Sequence, residues 1–162
     1  MVNKSIKELE RYKDHLFNKK QDIISQIYEM VIYGESSASS SISYVNSIID
    51  IISLLENEIK IACLSNNIDE KEEKDTVSIN QAMEEIIAYD EKIDFYENMY
   101  NYLCVKNKEK GIMEPVIVNK FGELVLELKD KKYSLNEKIE RAKNEVKVEI
   151  DMGNFVVNMV ED

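Results

Sequence analysis

Residues 79–106 read INQAMEEIIAYDEKIDFYENMYNYLCVK, and apolar side chains recur in this stretch at alternating intervals of four and three. The recurring positions are Ala82, Ile86, Tyr89, Ile93, Tyr96, Tyr100 and Leu103. A helix turns once in about 3.6 residues, so this spacing places all of these side chains on one side of an α-helix. The stretch therefore predicts an amphipathic helix whose apolar side packs against other helices.

Two earlier segments, residues 4–33 and 41–64, show the same periodicity. In the first, the side chains seven residues apart are Leu9, Leu16, Ile23 and Met30. In the second, they are Val45, Ile52 and Ile59, interleaved with Ile48, Leu55 and Ala62. Polar stretches at 34–40 and 65–75 separate the three segments, and such stretches are typical of loops.

The segment that starts at Pro115 supports two interpretations. Apolar residues keep helical spacing from here to about Met152, which favours one long helix with proline at its first position. The alternative is a short β-hairpin near 116–128, because Val116–Val118 and Leu124–Leu126 resemble strands separated by a turn. The continuous helix is the favoured interpretation, since an isolated two-stranded hairpin is marginally stable.

These four segments predict an all-α protein. The chain has 162 residues with one proline and four glycines, which argues against an all-β sandwich. Each apolar seam is only about three heptads long, so packing within one bundle is favoured over a long two-stranded coiled coil. We predict an elongated antiparallel bundle of about four helices with coiled-coil-like packing, formed by residues 1–152 as one domain, with 153–162 as an apolar C-terminal tail.

The charge of the chain restricts its partners. The 32 acidic residues exceed the 21 basic ones, giving a formal net charge of −11. Phosphates repel such a surface, so neither direct binding to nucleic acid nor binding to an anionic membrane is expected. Acidic residues are concentrated between Asp69 and Glu97, where 11 of them meet 3 lysines. This stretch is interpreted either as a solvated surface or as an acidic face for a basic partner.

Catalytic chemistry has no signature in the sequence. His15 is the one histidine, and no set of nucleophile, base and orienting residue can be named around it. No metal or cofactor motif is present, so we expect neither a cofactor nor an enzyme. Cys63 and Cys104 form no CxxC pair, which favours thiols in a reducing cytoplasmic location. No apolar run approaches the roughly 20 residues of a transmembrane helix, and the first residues lack the apolar centre of a signal peptide.

Aromatic and apolar residues off the inner seams are candidates for contact with a partner. Tyrosine combines a large contact area with a polar end, which suits interfaces. The candidate partner-binding residues are Phe95 and Tyr102, the acidic Glu84, Glu85, Asp90 and Asp94, and Phe155 and Val156 of the tail.

These observations predict a non-catalytic protein–protein interaction protein, an adaptor, chaperone or assembly factor. Its partner would be another protein or a second copy of itself, bound through apolar, tyrosine-rich helix faces. The alternative hypothesis is an acidic inhibitor of the phage type, which mimics nucleic acid and blocks a nucleic-acid-binding partner.

Overall fold

The structure is a computed structural model that describes residues 1–34, 38–68, 77–110 and 115–151, without the side chains of 107, 110 and 115–117. In chain order its elements are β1 (Val2–Ser5), α1 (Ile6–Ile32), α2 (Ala38–Ser65), α3 (Ile79–Lys110), α4 (Pro115–Glu145) and β2 (Lys147–Ile150). Four helices account for most of these residues, and helices pack against helices. The prediction of an all-α bundle is therefore confirmed.

The residue contacts sort the chain into two compact units. Unit one comprises Met1–Asn66 and Lys143–Asp162, whereas unit two comprises Asn67–Ala142. The last turn of α4 thus contributes to unit one. The assignment of residues 1–152 to one domain stays a prediction, and the tail 153–162 lies outside the described residues.

Within unit one, α1 and α2 pack as an antiparallel pair. Lys13 of α1 lies 4.0 Å from Glu56 of α2, whereas the Ser41 hydroxyl near the start of α2 donates to the sulfur of Met30, 3.9 Å away, near the end of α1. A later position in α1 therefore contacts an earlier position in α2, as expected for antiparallel helices. The pair shares a buried cluster with the C-terminal strand, formed by Leu9, Leu16, Ile48, Ile51, Leu55 and Ile150.

A short antiparallel sheet closes unit one, and the sequence analysis did not predict it. Val2 of β1 pairs with Ile150 of β2, and Lys4 pairs with Val148. The prediction that the last helix continues to about Met152 is therefore wrong, because α4 ends at Glu145. Apolar and charged residues alternate from 147 to 150, which suits a strand, but the same residues also fit helical spacing. Pairing with the distant N-terminus decides between the two conformations.

Helix α1 begins at Ile6 because a capping box forms there. The Ser5 hydroxyl accepts the backbone N–H of Glu8 at 3.1 Å, and the Glu8 carboxylate accepts the N–H of Ser5 at 2.7 Å. The two bonds satisfy backbone donors that the first turn leaves without helical partners. The hydrogen bond from the Ser5 backbone lowers the pKa of Glu8, since it favours the charged carboxylate.

Replacing this N-cap is expected to destabilise unit one. Ser5→Ala removes the hydroxyl acceptor of a buried residue and should lower the free energy of unfolding by about 1 kcal/mol. Chemical denaturation followed by circular dichroism measures the change. The matched control is Ser25→Ala in the same helix, where the hydroxyl only donates to the Gln21 carbonyl, and we expect a change within about 0.5 kcal/mol there. Equal effects of the two substitutions would contradict the capping role.

Within unit two, α3 and α4 also pack as an antiparallel pair. Glu97 of α3 pairs with Lys129 of α4, and Asp90, about two turns earlier in α3, pairs with Lys132. The later residue of α3 pairs with the earlier residue of α4, so the two helices run in opposite directions. An aromatic contact also joins the two helices: the ring centroid of Tyr96 in α3 lies 6.1 Å from that of Phe121 in α4.

The hairpin alternative near 116–128 is wrong, because α4 runs through that region without interruption. Gly122, which could have marked a turn, lies inside the helix. A β-carbon at this position would lie 3.3 Å from the Tyr100 ring, so the missing side chain lets that ring pack closely on α4. Gly122 therefore permits close packing of α3 on α4 and does not mark a turn. The helical spacing of apolar residues on both sides of Gly122 predicts the conformation of this region correctly.

Candidate interaction surface on α3

An outward face of α3 carries both apolar and acidic side chains. At about 100° per residue, a sector of about 100° lies roughly opposite the buried Ala82 and Ile93, and it also includes Asn80, Asn98, Val105 and Glu109. We use the name α3 outer face for six side chains of this sector: Glu84, Ile87, Glu91, Asp94, Phe95 and Tyr102. It therefore combines a large apolar area with carboxylates.

The apolar side chains of this face lie open to solvent. Ile87 is 60% exposed, Phe95 is 58% exposed and Tyr102 is 57% exposed. Phe95 also packs edge-on against Tyr96, with ring centroids 5.3 Å apart, and the Lys106 ammonium lies 5.8 Å from the Tyr102 ring centroid. Both aromatic rings therefore combine an internal contact with an accessible surface, the combination found in interface anchors.

The structure separates the four acidic candidates into two groups. Glu84 and Asp94 lie on the α3 outer face, where Glu84 accepts a hydrogen bond from the Asn80 amide at 3.1 Å. Asp90 instead pairs with Lys132 of α4. Glu85 accepts a hydrogen bond from the Tyr89 hydroxyl at 3.0 Å, and this bond raises the pKa of Tyr89. Two of the four carboxylates thus accompany the aromatic rings, and two serve contacts within unit two.

The two candidates of the C-terminal tail are not on α3, and further exposed apolar residues lie on unit one. Phe155 and Val156 fall outside the described residues. In unit one, α1, its C-cap residue and α2 expose large apolar side chains that the sequence analysis did not name, among them Phe17, Tyr28, Val31, Ile32, Tyr33 and Ile42. The sequence indicates such residues only indirectly, because these helices contain more apolar residues than one buried side of a helix requires. Helical spacing alone does not show which of the surplus residues become buried.

The histidine, the cysteines and the acidic residues are the groups to consider for catalysis or metal binding. Within the described ranges, no group of three or more His, Cys, Asp or Glu side chains could hold a metal ion. His15 is exposed, and both cysteines are free thiols. Burial raises the pKa of Cys63, which opposes formation of a reactive thiolate, although the nearby Lys143 acts in the other direction. Among the described helices, none is both long and apolar enough to cross a bilayer.

Comparison of the chain with family models, with characterised proteins and with solved structures gives no match in any of the three. No relative therefore supplies a role for any residue. The roles proposed below depend on the exposure, charge and contacts of the described side chains.

Proposed function

We propose that the protein is a non-catalytic interaction protein, an adaptor or assembly factor, that binds an amphipathic helix of another protein on the α3 outer face. One observation carries the proposal: Ile87, Phe95 and Tyr102 are all more than half exposed on a helix whose opposite side is already packed. A soluble helix usually turns its large apolar side chains inward, and exposed apolar groups of this kind mark interaction sites.

The charge of this face selects the kind of partner. Glu84, Glu91 and Asp94 flank the apolar side chains, and none of these three has an ion-pair partner in the described part of the chain. A partner helix with lysine or arginine beside its apolar side would complement both features. The exposed area of the three apolar side chains is on the order of 400 Å², about half of one side of a standard interface, which suits a transient contact.

The alternative, an acidic inhibitor that mimics nucleic acid, has less support. A mimic requires rows of carboxylates that are free to bind the partner, whereas Asp90 is paired with Lys132 and Glu85 accepts a hydrogen bond from Tyr89. The proposed cytoplasmic location is supported by the two free thiols. Both functions share the acidic surface, so salt dependence and apolar substitutions distinguish them.

The proposed function can be tested with a labelled synthetic peptide. We expect a helical peptide with leucine on one side and lysine on the other to bind the full chain in fluorescence anisotropy, and the same peptide with glutamate in place of lysine not to bind. Phe95→Ala and Tyr102→Ala should each weaken binding by about 10-fold, because each removes an aromatic anchor. The matched control is Tyr133→Ala, which removes an even more exposed tyrosine of α4 (68%, against 57% for Tyr102), and the affinity of this variant should stay within about 2-fold of the unmodified chain.

The salt dependence of the same titration separates the two functions. Binding through the α3 outer face should persist at high salt, because the apolar contacts are not screened. If salt abolishes binding and Phe95→Ala has no effect, the apolar contact is contradicted. The acidic inhibitor would then be favoured if charge reversal at Glu84 and Asp94 also abolished binding.

A further inference from the structure

A second apolar surface lies on unit one, along one side of the α1–α2 pair. We call it the α1–α2 side face, and it consists of Phe17, Tyr28, Val31, Ile42 and Ile49. These side chains range from 45% exposed for Ile49 to 69% exposed for Tyr28. They are additional to the inward-facing residues that join the two helices, so the pair has an apolar side that neither helix covers.

Helix geometry places the α1 members on this side. At about 100° per residue, Phe17, Tyr28 and Val31 fall within about 60° of the helix circumference. They lie roughly a quarter turn from Leu9 and Leu16, which face α2 in the buried cluster. The three residues therefore form a stripe beside the seam between the helices, not part of it.

The α2 members lie on the same side of the pair. A groove lined by Lys13, Asp14 and Phe17 of α1 and by Ile52 and Glu56 of α2 places Phe17 beside this part of α2. Ile49 precedes Ile52 by three residues, and Ile42 precedes Ile49 by seven, so the α2 stripe continues from the groove toward the beginning of α2. Both helices thus contribute to one continuous face.

Charge does not oppose the pairing of two such faces. Asp22, Glu29 and Asp50 lie on other sides of their helices at about 100° per residue. The groove end carries the carboxylates of Asp14 and Glu56. Glu56 is within 4.0 Å of Lys13, and the Lys20 ammonium lies 4.4 Å from the Phe17 ring centroid, so cations accompany these carboxylates. The face between Phe17 and Val31 therefore lacks a concentration of carboxylates, despite the net charge of −11.

We infer that the α1–α2 side face binds the same face of a second copy of this chain, so that two helix pairs form a four-helix bundle. The five side chains expose on the order of 600 Å² per chain, which approaches the roughly 800 Å² per partner of a standard interface. A two-fold axis allows one apolar patch to serve both copies. This inference does not depend on the proposed function, because it concerns different helices and a different occupant.

Sedimentation velocity of the full chain tests the inference. We expect a dimer at about 50 μM, since an interface of this area commonly gives micromolar or tighter association. Ile42→Asp and Ile49→Asp should each raise the dimer dissociation constant by at least about 30-fold, because each places two carboxylates in the apolar interface. The matched control is Ile61→Asp: Ile61 is 49% exposed, against 47% for Ile42, but lies about 100° around α2 from Ile42, and we expect it to leave the dimer intact.

Each outcome has a defined meaning. A monomeric unmodified chain at that concentration would overturn the inference, as would a dimer that Ile61→Asp weakens as much as Ile42→Asp does. Circular dichroism should show unchanged helix content in all variants, since the substituted side chains are exposed. Tyr28→Ser on α1 gives a second measurement without an added charge: it should also weaken the dimer, and an unaffected dimer would contradict the role of the α1 stripe.

Discussion

Leu16→Ala should lower the free energy of unfolding of unit one by about 3–4 kcal/mol. Leu16 is fully buried in the cluster that joins α1, α2 and β2, so truncation removes apolar contacts and leaves a cavity. Urea denaturation followed by circular dichroism measures the loss. Residues of unit two belong to a separate compact unit, so a transition that belongs to unit two should shift less than the transition of unit one.

Leu54→Ala is the matched control for this substitution. It removes the same atoms from a helix of the same unit, but Leu54 is about half exposed and lies outside the buried cluster. We expect its effect to be below about 1 kcal/mol. A similar loss for both variants would mean that the cluster around Leu16 is not the core of unit one.

Glu10→Gln should cost about 3 kcal/mol, because it leaves the Lys143 ammonium without its closest carboxylate. The Lys143 side chain is only 8% exposed, and its Nζ lies 2.6 Å from Oε1 of Glu10. This pair connects the last turn of α4 to α1 inside unit one. A buried charge that loses its partner retains the cost of desolvation without the compensating attraction.

Two further variants show whether the cost comes from the unpaired charge. Glu10→Leu combined with Lys143→Met removes both charges, and its stability should stay within about 1 kcal/mol of the unmodified chain. Glu109→Gln breaks the exposed pair with Lys106, and we expect a change below about 0.5 kcal/mol. If the double variant is as unstable as Glu10→Gln alone, the packing of these side chains matters more than their charges. If Glu10→Gln costs no more than Glu109→Gln, the ammonium is still hydrated.

The helices α2 and α3 could be predicted closely from local patterns. Residues 41–64 were expected to be helical, and α2 spans Ala38–Ser65. Residues 79–106 were expected to be helical, and α3 spans Ile79–Lys110. The exposed positions of Phe95 and Tyr102 also follow from the spacing, because they are off the inner side of α3. Periodicity carries this information because a helix repeats its geometry within a few residues.

Other features could not be predicted, because they depend on residues far apart in the chain. Ile49, Ile51 and Leu54 all lie off the seam of the second segment, yet only Ile51 is buried. Nothing in the sequence distinguishes Asp90 from Asp94 as a candidate for partner contact. In the structure, Asp90 forms an ion pair with Lys132 of α4, whereas Asp94 lies on the α3 outer face. Which surplus apolar or charged residue finds a partner depends on the helix that packs beside it.

The ends of the chain show this division most clearly. The amino-acid order by itself determined that most of the protein is helical and which side of each helix is apolar, since these properties arise from neighbours three and four residues apart. Only the tertiary structure decided that residues 147–150 form a strand, because their backbone hydrogen bonds go to Val2–Ser5 at the other end of the chain. A segment whose spacing fits both helix and strand takes the conformation in which its backbone groups and its apolar side find partners.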